Sequence, residues 1–272
     1  MVKISNINTI MAKCNICGAV LEFELGEVLS KDEILGYRET LDCPKCGCIS
    51  RDRGLIWALS NCMQKETPLF ELKNNQNLKI LESTGLRTYP KILKEKFDYF
   101  NPRFSKFTPL LKMFPNKYAD LQRLFFKDNK FDFVLASDIF EHIRLDDDAF
   151  SEIFRVLKPK GYFLMTVPFN YSLEQTIEKI KVIGNKDIFL SEPEYHNKGV
   201  KDGGDSLFYR LYGKSLFKKL TNIGFNVGYL RIQIPKYAIS QIELFFCRKN
   251  TLPDLEDISS TNLVLKKEIF RS

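Results

Sequence analysis

Short apolar runs alternate with amphipathic stretches along most of the chain. Residues 78–81, 98–100, 131–136, 162–167 and 241–248 are apolar runs of strand length. Between them lie segments with helical spacing. In residues 51–64, Leu55, Ile56, Leu59 and Met63 share one face. Residues 90–97 open on Pro90, which suits a first helical turn. Residues 146–157 open on three aspartates, which suits the helix dipole. Residues 173–183 read as a helix, and residues 214–221 as another ended by Gly224. Lys158-Pro159-Lys160-Gly161 reads as a stop and turn. Residues 65–77 read as a polar connector, 101–116 as irregular with three prolines, and 191–205 as a Gly-rich polar loop. The alternation predicts an α/β fold with a doubly wound, mostly parallel sheet and helices on both faces.

Composition narrows this picture. The chain has 272 residues, 44% hydrophobic and 28% charged, which supports one large α/β domain with a small appendage. The net charge of +7 reads as a lysine-rich solvated surface and is also compatible with an acidic partner. No apolar run reaches membrane-spanning length, and residues 1–13 lack a secretory signal. A cytoplasmic location is expected, with the seven cysteines as thiols or metal ligands rather than disulfides.

Four of those cysteines form two matched knuckles, Cys14-Asn15-Ile16-Cys17-Gly18 and Cys43-Pro44-Lys45-Cys46-Gly47. Each aims two thiolates at one centre, and the glycine relieves the tight turn that follows. Cys14, Cys17, Cys43 and Cys46 together predict a closed tetrahedral structural zinc site, hence a zinc ribbon. Cys48, Cys62 and Cys247 are left as non-ligands. The expected organisation is a zinc-ribbon module over 1–50, a helix and connector over 51–77, the α/β domain over 78–250 and a polar tail over 251–272.

Residues 131–143, FDFVLASDIFEHI, and 155–168, RVLKPKGYFLMTVP, carry a more specific signal. An "FD" pair opens a strand, an "EH" pair follows it, and a "VLKP" turn precedes the next strand. This order resembles class I S-adenosylmethionine-dependent methyltransferases of the Rossmann-like fold, with Lys160 standing where the family has glycine. The resemblance spans roughly residues 78–224 and implies S-adenosylmethionine as cofactor. It places Asp120 and Leu121 against adenine, Glu82 near the methionine amine, Asn101 near the ribose and Ser137 at the fourth-strand end. Thr84 and Gly85 lie in the cofactor loop, where Gly85 is the one glycine remaining.

Only two histidines are present. His142 follows the fourth strand and is either a packing residue or a catalytic one. His196 lies in the loop after the fifth strand and is either a general base for a hydroxyl or a surface residue. The favoured expectation is O-methylation of a small-molecule or glycan hydroxyl. The alternatives are an RNA or protein methyltransferase that grips its substrate with the ribbon, and a non-catalytic binding protein of the same fold.

Overall fold

A computed structural model describes residues 4–5, 9–24, 38–63, 66–83, 89–105, 107–184, 186–196, 206–249 and 268–269. The polar tail after 249 lies outside them except for the short Glu268–Ile269 strand. The N-terminal strands β1 (Thr9–Lys13) and β2 (Val20–Glu24) pair antiparallel, with Ile4–Ser5 on the free side of β1. Helix α1 (Ser50–Met63) follows. The α/β part then runs β3 (Asn75–Glu82), α2 (Tyr89–Lys96), β4 (Phe97–Phe100), β5 (Phe131–Ser137), α3 (Asp146–Val156), β6 (Leu157–Thr166), α4 (Ser215–Ile223), β7 (Phe225–Ile234) and β8 (Ile239–Lys249).

The seven-stranded sheet has the order (268–269)-β7-β8-β6-β5-β3-β4. Pairs β4/β3, β3/β5 and β5/β6 are parallel; β8 runs antiparallel to β6 and β7. The chain leaves β3 toward one edge and returns on its other side at β5. Such a reversal opens a crevice at the carboxyl ends of β3 and β5, where open α/β sheets take ligands.

One face of the sheet packs α1, α2 and the N-terminal strands in a single cluster that includes Phe23, Leu55, Trp57, Leu93 and Ile242. The other face packs α3 and α4 through a phenylalanine-rich cluster, with Phe140 stacked on Phe150 at 4.2 Å. Burying such rings and aliphatic chains is the main stabilising term, about 1.5–3 kcal/mol for each fully buried large side chain. Helix α1 approaches the sheet closely because residue 54 is glycine: a Cβ there would sit 2.9 Å from Ile242. Among the described residues no helix is long and apolar enough to cross a membrane.

Four local readings are corrected by the structure. Residues 173–183 are not a helix; Ile177–Glu178 and Ile180–Ile183 are strands, and the second forms a hairpin with Lys186–Phe189. The segment is dense in β-branched side chains and ends at Gly184, whose φ of +58° suits a tight turn. Residues 101–116 contain the short helix Thr108–Met113, with Pro109 in its first turn. Strand β7, for which the pattern makes no assignment, contributes ten residues to the sheet. Residues 158–161 bend β6 without ending it, and the pairing with β5 shifts register there.

That bend gives a stability prediction. Exposed Lys160 sits at φ +67°, in the left-handed region that costs a β-carbon residue about 1–2 kcal/mol. Lys160→Gly removes that strain and adds a smaller unfolded-chain entropy. The expected net gain is about 0.5–1 kcal/mol, read as a rise of roughly 1–4 °C in the melting temperature.

Candidate active site and metal centre

The knuckles sit where the local backbone demands them. Gly18 N–H donates to Cys14 O at 2.9 Å and Gly47 N–H to Cys43 O at 2.8 Å, with both glycines at positive φ, +77° and +68°. The four sulfurs of Cys14, Cys17, Cys43 and Cys46 lie within 4.8 Å of one another. Cys14 and Cys46 approach to 3.8 Å, as do Cys17 and Cys43. A tetrahedral zinc with bonds of about 2.3 Å needs sulfurs about 3.8 Å apart, so the cage fits such an ion. Burial raises the Cys17 thiol to about 11. Cys14 is pushed up by its contact with the Cys46 sulfur and then by burial, so four thiolates here need a divalent cation. Cys48, Cys62 and Cys247 are outside this cluster.

The cage is built into the body of the protein. Fully buried Arg53 of α1 donates to the carbonyls of Leu41, Cys48, Tyr237 and Ala238, and its guanidinium lies 4.7 Å from the Phe23 ring centre. Asn15 Nδ2 donates to Arg53 O at 2.9 Å.

The second knuckle also carries side chains to the carboxyl end of the sheet. Arg38, 3% exposed, donates to Asp138 Oδ1 at 2.6 Å and to Val167 O at 3.2 Å. Arg51, in the first turn of α1, donates to Ser137 Oγ at 2.8 Å and lies 3.2 Å from Asp138 Oδ2; its other neighbour is Glu39 at 2.7 Å. Burial disfavours charge on Asp138, yet Arg38 and Arg51 hold its carboxyl below the ordinary range. Asp138 itself sits at φ +45°, a conformation held by this surrounding network.

Glu82 ends β3 and is fully buried. Tyr89 donates to its Oε1 and Tyr99 to its Oε2, the latter at 2.5 Å. Burial pushes its carboxyl up to about 7 despite those hydroxyls. Asn101 is tied to the same group through the Tyr99 hydroxyl. Asp120 accepts from Gln122 N–H and from Gln122 Nε2, both at 3.0 Å, and Leu121 beside it is buried. Ser137 closes β5 next to Asp138. Thr84 and Gly85 lie outside the described residues.

His142 is nearly enclosed, and its Nδ1 lies 2.9 Å from Leu207 O. A carbonyl only accepts, so Nδ1 carries the proton and Nε2 is the basic nitrogen. Nε2 is 3.6 Å from Glu141 Oε1. His196 is brought to this side by backbone pairing: the Tyr195–His196 strand pairs with Ser206–Leu207.

Glu141, Asp138, Arg38 and Arg51 are the residues that the sequence reading misses. Glu141 lies inside the "EH" pair, where the rarer residue type, histidine, is the more conspicuous candidate. Burial and then the negative Asp138 push the Glu141 carboxyl up to about 8. Glu141 Oε2, Ser83 Oγ and Arg38 Nε are among eight buried side-chain atoms of the described residues without a hydrogen-bond partner. Buried polar atoms are normally satisfied, so three such atoms around the carboxyl ends of β3 and β5 fit a polar ligand there. A cleft of about 500 Å³ lined by Asn75, Phe97 and Phe133 lies at the opposite ends of these strands, away from this chemistry.

The family model described as a methyltransferase domain matches residues 101–165, which include β5, α3 and most of β6. Comparison with curated proteins gives no match. Among solved structures, a putative S-adenosylmethionine-dependent methyltransferase from Listeria monocytogenes shares 17% identity over 73% of this chain and 99% of its own, with a TM-score of 0.42. The methyltransferase complex with the Trm112 activator from Haloferax volcanii shares 13% over 74% and 92%, at 0.41. The 4+2-cyclase SpnF shares 14% over 66% and 77%, at 0.40. None of these superpositions reaches 0.5, and the sequence match to a methyltransferase domain is confined to residues 101–165.

Proposed function

We propose that this chain, an S-adenosylmethionine-dependent enzyme carrying a methyltransferase domain, methylates a hydroxyl group of a small molecule or glycan. Glu141 carries this reading. A hydroxyl acceptor must lose a proton as its oxygen attacks, and a buried carboxyl with an unshared oxygen is suited to take it. An acid pushed up to about 8 is a stronger base than an ordinary carboxylate once ionised. His142 Nε2, 3.6 Å away, offers a second proton-accepting atom, and His196 is the third candidate.

The cofactor supplies an electrophilic methyl group on a sulfonium. Glu82, Thr84, Gly85, Asn101, Asp120, Leu121 and Ser137 would hold it. The Ser83 hydroxyl is available at the same strand end. Tyr89 and Tyr99 fix the Glu82 carboxyl and so the exit of β3. Arg38 and Arg51 pin Asp138 and Ser137, which sets the exit of β5 and shields the crevice from water on the ribbon side. Near-attack geometry between two strand exits needs both to be rigid. In this reading Cys14, Cys17, Cys43 and Cys46 hold a structural zinc whose role is to place Arg38 and Arg51.

Titration calorimetry with S-adenosylhomocysteine tests the cofactor half. A single saturable site with micromolar affinity, weakened by Asp120→Ala, is expected. Absence of heat together with an unchanged melting temperature overturns the reading and leaves a binding protein of the same fold. Methyl transfer to RNA or protein but to no free hydroxyl compound overturns the acceptor class.

A further inference from the structure

Exposed apolar side chains are not scattered over this protein. Of thirteen large exposed hydrophobics among the described residues, eleven lie between 104 and 195, in segments that follow the carboxyl ends of the parallel strands. One group is Phe104, Phe107, Met113 and Phe114, between 42% and 70% exposed, on and around the Thr108–Met113 helix. The other lies on the Ile180–Ile183/Lys186–Phe189 hairpin and the residue after it. Leu145, 38% exposed, stands between them. Its N–H donates to Gln122 Oε1 at 2.9 Å, while Arg144 donates to Asp187 of the hairpin at 2.6 Å. The two groups are therefore tied into one rim beside Glu141.

The same rim is basic. Residues 101–130 hold seven Lys and Arg against two Asp, a net +5 out of +7 for the whole chain. Arg103, Lys112, Lys117 and Arg123 are exposed and make no ion pair among the described residues. In the hairpin, Lys181 pairs across from Ile188 and Ile183 from Lys186, so two apolar and two basic side chains share one exposed face.

Exposed apolar side chains interspersed with cations that form no ion pair among the described residues match an interfacial region, whose acyl boundary takes the apolar groups and whose phosphates take the ammonium and guanidinium groups. We propose that this rim docks on an anionic lipid bilayer, which sets the mouth of the site at the lipid surface; the meaning of that mouth rests on the methyltransferase reading, but the docking does not. Nucleic acid is the other polyanion to weigh. It would need open aromatic faces for base stacking. Phe104 and Phe107 are exposed rings, but Phe114 already has Lys117 at 5.6 Å over its ring, and Phe125 has Lys112 and Arg123 at 5.8 and 5.3 Å. Met113, Ile183 and Ile188 have no ring to stack. These side chains favour lipid.

The test is sedimentation of the full chain with vesicles of phosphatidylcholine alone or mixed with phosphatidylglycerol. Binding at least about tenfold stronger to the mixed vesicles, and weakened by salt, is expected. Lys112→Glu with Lys117→Glu should lower it about tenfold or more, and Met113→Asp with Ile188→Asp similarly. Melting temperature and S-adenosylhomocysteine affinity should stay unchanged in both variants, which separates loss of docking from loss of fold or cofactor. Equal or absent binding to the two vesicle types overturns the proposal. So does vesicle binding that both variants retain, or salt-sensitive retention on RNA in place of vesicles. Vesicle binding without cofactor binding would sink the enzymatic reading and leave this one standing.

Discussion

Replacing Glu141 with glutamine is expected to lower kcat about 10²–10⁴-fold while leaving S-adenosylhomocysteine affinity near the wild-type value. Glutamine keeps the volume and removes the titratable oxygen. The wild-type rate should rise with pH through about 8, because the carboxyl must ionise before it accepts a proton. That rising limb should vanish in Glu141→Gln. A variant that keeps both kcat and the limb would move the proton acceptor to His142 or His196.

The same substitution has a stability signature. Below pH 4.5, the ordinary value, Glu141 is protonated in both folded and unfolded chains, and no stability is lost through it. Between there and about 8 the unfolded chain ionises while the folded one holds its proton, so stability falls as pH rises. The slope from one such group approaches about 1.4 kcal/mol per pH unit inside that window. Glu82, raised to about 7, acts in the same direction, whereas Asp138, held low, loses its contribution as pH falls. Melting temperatures between pH 5 and 8 should therefore decline in the wild type and decline less steeply in Glu141→Gln, where Glu82 alone of the two still contributes. Equal slopes would mean that Glu141 is not the group being titrated.

The second large effect is expected at the cysteine cage. Cys43→Ser, or a strong chelator applied to the wild type, should lower the melting temperature by roughly 10–20 °C, the size of a loss of about 5 kcal/mol in a chain of this length. The reason is packing. Leu41, Cys43, Cys46 and Cys48 share one buried cluster with Trp57, Leu55 and Ile242, so the cage cannot open without exposing core. Cofactor affinity should fall as well, because Arg38 and Arg51 leave Asp138 and Ser137 when the second knuckle loosens. Metal analysis should find one zinc per chain in the wild type and in Cys62→Ser, and less in Cys43→Ser. A metal-free variant that melts like the wild type and binds cofactor normally would make the cage dispensable.

How far the residues alone reveal this protein depends on the range of the interactions involved. Strands β5 and β6 are legible because their apolar runs are buried on both faces, so burial writes itself directly into local composition. The hairpin at 180–189 is harder. Its apolar spacing suits helix and strand alike, and a tertiary contact, Arg144 with Asp187, holds it as a strand pair. Glu82 ends β3, as the apolar run before it predicts, yet its two tyrosine partners come from α2 and β4.

The doubly wound sheet, the matched knuckles and the "FD" and "EH" strand signature can be read from the residues alone, because each depends on side chains within a few residues of one another. It takes the folded chain to bring residues flanking the second cysteine knuckle to the crevice at the carboxyl ends of β3 and β5. Arg38 meets Asp138 across 100 residues and Arg51 meets Ser137 across 86. Such contacts leave no local pattern, since any buried arginine near an aspartate would serve. The same holds for Glu141: its weakened acidity comes from burial and from Asp138, both properties of the folded surroundings and not of the residues beside it in the chain.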